Sequence, residues 1–419
     1  MTESYVIIGD GVAGSSAAET LRESAPEASI TVVTDEGEAL YNRILIKEFA
    51  KGKLPEAPIS IHDPSWYAER DIELSLNTHV TGVDTEAKYV RVYEGDDIPY
   101  DRLLVATGGT PRQLPVDNSD ADGIHHFWTF QDARAIKESA EAADTGVVVG
   151  AGLLGVDLAA ISGAQRLDAH YLMRGNRWWR YALSLDGAEI IHDALRERGV
   201  TPVFESGVDY FETDDDGHVA AAVDPDGDRY GAEFVGVAVG LDMNTEFLRG
   251  SGIDRDDGVF VDEYMQTSVE GVYAAGDITR FQDTIVGERA QNGSWGSAKE
   301  QGRIAGVNMA DDGESEAFRW VSSYSITHFD FPFLSFGHPA EGDEHFERKY
   351  SETEWRRIAL NDSKVVGGVL IGDLAPQTKL KQLMREERHV ADHREELLAE
   401  SIDLDRIDAA PQVEAEAGD

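Results

Sequence analysis

The chain has 419 residues, 41% of them apolar and 7 of them Trp, enough for two or three domains with full cores. It carries 80 Asp and Glu against 37 Lys and Arg, a formal net charge of -43, and 0 cysteines. Those counts exclude a basic nucleic-acid footprint, disulfides, thiolate or iron–sulfur ligation and any redox-active thiol on this chain. The acids run along the whole sequence and exceed what solubility needs. Such a surface suits a halophile's concentrated salt, where the Debye length falls to roughly 3 Å at 1 M. No stretch resembles a signal peptide, and the longest apolar run, residues 147–161, is broken by Asp157 and three glycines. A cytoplasmic protein without a membrane span is therefore expected.

In chain order, residues 4–33 read as strand, tight turn, helix over 15–24, and strand. The turn is Gly9-Asp10-Gly11-Val12-Ala13-Gly14. A Pro-containing loop follows, then short strands near 73–76 and 90–93, and a buried strand, 103–106, running into Thr107-Gly108-Gly109. A helix over 132–143 leads into a second turn, Gly150-Ala151-Gly152-Leu153-Leu154-Gly155, which repeats the strand–turn–helix–strand order through residue 172. Beyond lie a helix over 186–199, short strands across 200–238, and the segment Tyr273-Ala274-Ala275-Gly276-Asp277. The acidic run over 311–316 marks a domain boundary. Strands at 356–360 and 365–371 and a helix over 377–388 follow, and the acidic tail from 401 to 419 is expected to be disordered.

Each glycine turn is a Gly-x-Gly-x-x-Gly between a buried strand and a helix, the context in which it binds a dinucleotide. The first glycine makes the turn, the second lets backbone approach a pyrophosphate, and the third lets helix and strand pack. The helix N-terminus adds amide donors and partial positive charge. Two such turns on one chain imply two dinucleotides and electron transfer between them. Asp35 and Glu36 stand about 20 residues past Gly14, where an acid binds ribose hydroxyls. After the strand of the second unit the corresponding place holds Met173 and Arg174, with Arg177 and Arg180 nearby. A guanidinium there suits a 2'-phosphate, which favours NADPH over NADH. His125, His126 and His328 lack companions at metal-ligand spacing, so no metal site is expected.

Taken together, Gly9–Gly14 with Asp35, Tyr41-Asn42-Arg43, Lys47, Ala106-Thr107-Gly108, the second glycine turn and residues 273–277 resemble the two-dinucleotide-binding flavoproteins. The likeness points to NAD(P)H-dependent rubredoxin and ferredoxin reductases, the flavin portion of large nitrite reductase subunits, and apoptosis-inducing factor. It implies an α/β fold with two Rossmann-like domains and a small α+β C-terminal domain. The FAD domain would take residues 1–112 and 241–312, the NAD(P) domain 113–240, and an interface domain 313–400. In the FAD half, Gly9, Gly11, Val12, Ala13 and Gly14 would carry the pyrophosphate, Asp35 the ribose, Arg43 the phosphates and Asp277 the ribityl chain. Ala106, Thr107 and Gly108 would lie where the chain crosses beside the cofactor. The likeness implies that Lys47 lies by the flavin N5 edge and pairs with Asp157. Gly150, Gly152, Leu153, Leu154, Gly155 and Arg174 would hold NAD(P)H. The likeness also places an aromatic near the flavin, for which Phe329, Phe331, Phe333 or Trp295 is a candidate; a hydrophobic core or dimer seam is the alternative place for the three phenylalanines. The implied activity is hydride transfer from nicotinamide to FAD and electron transfer to an external acceptor, foremost a rubredoxin- or ferredoxin-type carrier. A quinone, oxygen, or a role as flavin-bearing sensor or assembly protein remain alternatives, and a homodimer is possible.

Overall fold

A computed structural model describes residues 3–408 except 284, 286 and 311–314. The chain divides into two compact units, one formed by Met1–Trp178 with His192–Trp320, the other by Trp179–Ile191 with Val321–Asp419.

The larger unit is built on two parallel five-stranded sheets. In the first, the order is Val272–Ala274, Arg102–Val105, Ser4–Ile8, Ser29–Val33, Ile72–Ser75. Its central strand runs Tyr-Val-Ile-Ile and buries all four side chains, as a strand covered on both faces must. In the second, the order is Val200–Phe204, Asp168–Met173, Thr145–Val149, Phe234–Val237, Ile124–His126. In both sheets the glycine turn leaves the C-terminal end of a strand flanked on both sides, the crevice where open α/β sheets bind ligands. The helix Trp295–Ala310 packs on Val12–Ser24, and a Cβ at Gly302 would lie 2.0 Å from the Ala13 carbonyl oxygen. That close approach is what requires glycine there.

The smaller unit holds an antiparallel five-stranded sheet, in the order Ser323–Ile326, Phe333–Gly337, Lys364–Ile371, Glu354–Asn361, Glu344–Ser351. Helix Gln377–Arg385 packs on it, with Leu380, Leu383 and Met384 buried. Phe333 belongs to this core, its ring 5.9 Å from that of Trp179, while Phe329 and Phe331 stack on each other at 5.4 Å.

Several boundaries differ from expectation for identifiable reasons. The first glycine-turn helix starts at Val12 rather than 15, because Gly11 is its N-cap. The helix expected over 132–143 is Phe130–Ala142, started by a Thr129–Asp132 capping box. The helix expected over 186–199 is Leu185–Arg196. The start of the tail expected to be disordered is folded: Leu404–Asp408 is helical, and Ile402 and Ile407 are buried among the acids. Lys379 donates to the Ile402 carbonyl, and the Asp403 amide donates to Glu396 at 2.8 Å. Residues 409–419, and 311–314 of the acidic run, lie outside the described residues.

Candidate functional site: two dinucleotide cradles and a buried ion pair

The first glycine turn is shaped by backbone contact. Gly9 has φ +106, its amide donates to Val33 O at 2.7 Å, and a Cβ on it would stand 2.3 Å from Ala106 O. A Cβ on Gly14 would lie 1.9 Å from Gly9 O. Gly11 is the reverse case: a Cβ on it meets no described atom within 4 Å, and it caps its helix with no side-chain hydrogen bond. No side chain therefore crowds Gly11 at the N-terminus of Val12–Ser24, a kind of helix end whose first amides can receive an anion.

The second turn repeats that geometry. Gly150 has φ +118 and donates to Leu172 O at 3.2 Å; a Cβ on Gly155 would stand 1.9 Å from Gly150 O. Gly152 caps helix Leu153–Gln165 without a side-chain bond, and a Cβ on it meets no described atom within 4 Å. Leu153 and Leu154, the first helical residues, are half-buried.

Around the first cradle, Arg43 binds the Trp128 carbonyl at 2.8 Å and pairs with Glu36, whose other oxygen accepts from Tyr41 at 2.7 Å. Glu36 is therefore committed to Arg43, while Asp35 is exposed just past strand Ser29–Val33. Gly276 is held by buried Gln301, whose Oε1 accepts from the Gly276 amide and from Thr279, each at 2.8 Å. Burial raises the next residue, Asp277, to about 6, against the opposing charge of Arg43. In the crossover, Ala106 donates to Ile8 O at 2.8 Å and Thr107 Oγ1 donates to Asn244 O at 3.1 Å. Asn244 answers through Nδ2 to Thr107 O at 3.0 Å, stitching together the two passages of the chain.

Lys47, from helix Ile46–Ala50, meets Asp157, from Leu153–Gln165, the helix that follows the second glycine turn. Their Nζ and Oδ1 lie 3.6 Å apart, with the two residues only 7% and 3% exposed. Lys47 stands four positions after Arg43, in the first turn of its helix, and is buried. Arg174 directly follows strand Asp168–Met173 and is exposed; Arg177 bonds to Asn176 at 2.8 Å and Arg180 to Tyr181 at 2.8 Å.

Sequence reasoning passed over one buried acid. Asp10 lies inside the first turn, and its carboxylate oxygens accept from Tyr67 Oη at 2.7 and 2.9 Å. Burial pushes it up to about 7, against the Tyr67 and Leu40 hydrogen bonds that lower it. A hydroxyl fifty-odd residues away leaves no signal in the turn's own pattern. Among the described residues no group of three His, Cys, Asp or Glu could hold a metal, and no helix is long and apolar enough to cross a membrane.

Two glycine turns at the ends of parallel sheets, with a buried ion pair that includes Asp157 of the second turn's helix, define a two-dinucleotide oxidoreductase. The comparisons with known proteins agree. The profile of the pyridine nucleotide-disulphide oxidoreductases matches residues 3–302, and that of the rubredoxin NAD+ reductase C-terminal domain matches residues 325–388. Nitrite reductase [NAD(P)H] of Bacillus subtilis is 28% identical over 392 residues, which cover 92% of this chain and 48% of that protein. The chain therefore spans about half the length of that relative. The ferredoxin–NAD(+) reductase component of the Paraburkholderia xenovorans biphenyl dioxygenase system is 31% identical over 305 residues, 69% of this chain and 71% of that one. The crystal structure of a covalent putidaredoxin reductase–putidaredoxin complex superposes with TM-score 0.91 at 26% identity, covering 98% of this chain and 99% of the other. The chain belongs to the pyridine nucleotide-disulphide oxidoreductase family, whose expected cofactors are FAD and a nicotinamide dinucleotide. It does so without the cysteines of the family's name.

Proposed function

We propose that the chain is an FAD-dependent NAD(P)H oxidoreductase that delivers electrons to an external iron–sulfur carrier of the ferredoxin or rubredoxin type. The observation that carries this reading is two open glycine turns on one chain, together with the buried Lys47–Asp157 pair beside the second turn's helix. When bound, FAD supplies the chemistry by taking a hydride from the nicotinamide and releasing electrons singly. Residues 1–112 with 241–312 would form the FAD half, residues 113–240 the nicotinamide half, and residues 313–400 the interface domain through which a homodimer would form.

The protein's own groups bind and position. The amides after Gly11 and Gly152 receive the two pyrophosphates, Asp277 and Asp35 accept from sugar hydroxyls, and Arg43 neutralises phosphate charge. Lys47, desolvated but paired with Asp157, supplies a fixed cation beside the reacting ring, where added negative charge is stabilised without solvent reorganisation. Arg174 at the end of its strand selects the 2'-phosphate of NADPH. With 0 cysteines on the chain, the electrons leave to a partner rather than to a protein thiol. Concentrated salt, which screens a net charge of -43, is the proposed working medium.

The test is steady-state turnover in concentrated potassium chloride with NADPH and one acceptor at a time: a small iron–sulfur protein, a quinone, or oxygen. Fast, repeated reduction of the iron–sulfur protein supports the proposal. Preference for the quinone or oxygen, or a flavin that is reduced slowly and stays reduced, contradicts it.

A further inference from the structure

Two aromatic side chains outside the glycine motifs end on the second turn. Tyr171 pairs with Val148 across the sheet, is fully buried, and donates its hydroxyl to Gly150 O at 2.7 Å. Trp178 is also fully buried, and its Nε1 donates to Gly152 O at 3.2 Å. The Trp178 main-chain amide in turn donates to Nε2 of buried His192 at 3.1 Å, which assigns His192 the neutral tautomer with its proton on Nδ1.

Successive amides can face an anion only if the carbonyls between them turn the opposite way, into the protein. A carbonyl turned inward must find a donor or carry a desolvation penalty. Gly152 O already accepts from Val156 N at 3.2 Å, so the indole provides a second bond that fixes its direction. A Cβ on Gly155 would lie 2.5 Å from the Tyr171 oxygen as well as 1.9 Å from Gly150 O, so the hydroxyl is packed into the turn itself. Burial first, and the Asp157 carboxylate second, raise the Tyr171 pKa, which keeps the hydroxyl a donor throughout the working range.

We propose that Tyr171 and Trp178 are positioning residues for the nicotinamide dinucleotide, holding the Gly150 and Gly152 carbonyls back so that the helix amides face the pyrophosphate. This rests on the reading that the second turn takes a pyridine dinucleotide. The contact is to a phosphate group shared by NAD+ and NADP+, so both should be affected alike.

The experiment is calorimetric titration of NAD+ and NADP+ into flavin-loaded protein in concentrated salt, for wild type, Tyr171→Phe and Trp178→Phe. Each variant is expected to weaken both nucleotides about 10-fold, with flavin content unchanged. In turnover, KM for the reduced nucleotide should rise while kcat holds. An unchanged nucleotide Kd in Tyr171→Phe overturns the inference, as does a lowered Tm with equal loss of flavin, the mark of a merely structural role. Should Tyr171→Phe fail to fold, Trp178→Phe decides by the same criteria. Wild type that binds neither nucleotide would instead overturn the reading of the second turn, and the inference with it.

Discussion

In the first glycine turn Asp10 stands between the leading glycines and takes the Tyr67 hydroxyl; in the second Ala151 stands there, and Tyr171 and Trp178 reach the turn's own carbonyls. The backbones are near copies, with Gly9 and Gly150 at φ +106 and +118 and third glycines pressed equally close. What differs is the support. One turn carries a carboxyl whose charge depends on pH, and the other is braced by neutral donors. Permanent retention of one nucleotide and exchange of the other would ask for such a difference.

The largest effect should come from filling the third glycine of each turn. Gly14→Ala drives a methyl to 1.9 Å from Gly9 O and should cost the protein its flavin, about 3 kcal/mol or ~100-fold in affinity. Gly155→Ala should leave the flavin bound and weaken nicotinamide binding by a similar factor. Visible absorbance and nucleotide titration separate the two, and loss of both ligands in either variant would break the comparison.

Lys47→Met takes the cation away from the buried Asp157 carboxylate, and breaking a buried ion pair costs about 3–5 kcal/mol. The double change with Asp157→Leu should recover most of the stability in a thermal melt and none of the flavin-reduction rate. Recovery of the rate would remove Lys47 from the reacting edge.

Asp10 makes the first turn pH-sensitive. Its folded-state pKa of about 7 lies above the ordinary 3.8, so folding takes up a proton and burial of the carboxyl is free of charge only in acid. Its stabilisation is complete below pH 3.8 and is lost as pH rises through 7. Asp10→Asn should therefore melt above wild type at about pH 8, with the gap closing toward about pH 4. A gap independent of pH would mean that folding does not raise the Asp10 pKa, contradicting this reading.

The smallest effect is expected at exposed Arg174. Arg174→Ala should lower kcat/KM for NADPH about 10-fold, on the order of 1.4 kcal/mol, and leave NADH unchanged.

Much of this architecture was legible before any coordinates, because glycine turns between apolar strands are local: a few adjacent residues determine where the backbone bends and which atoms must approach. Lys47 and Asp157 are paired through a family likeness, not through their spacing, since they stand 110 positions apart in the chain. The braces were not legible. Tyr67, Tyr171, Trp178 and Asn244 act through polar atoms whose partners are set by sheet register and by chain crossings, which no local pattern records. The packed segment before residue 409 escaped for a different reason: acidic composition outweighed Ile402 and Ile407, whose two buried side chains anchor it.

The central claim, two nucleotides brought together across Lys47 and Asp157, is tested most directly by anaerobic stopped-flow mixing of the purified protein with NADPH in concentrated salt. The account predicts a yellow protein whose flavin band bleaches in a single fast phase, slowed strongly in Lys47→Met. A colourless protein, or a flavin that NADPH and NADH both leave oxidised, would contradict it.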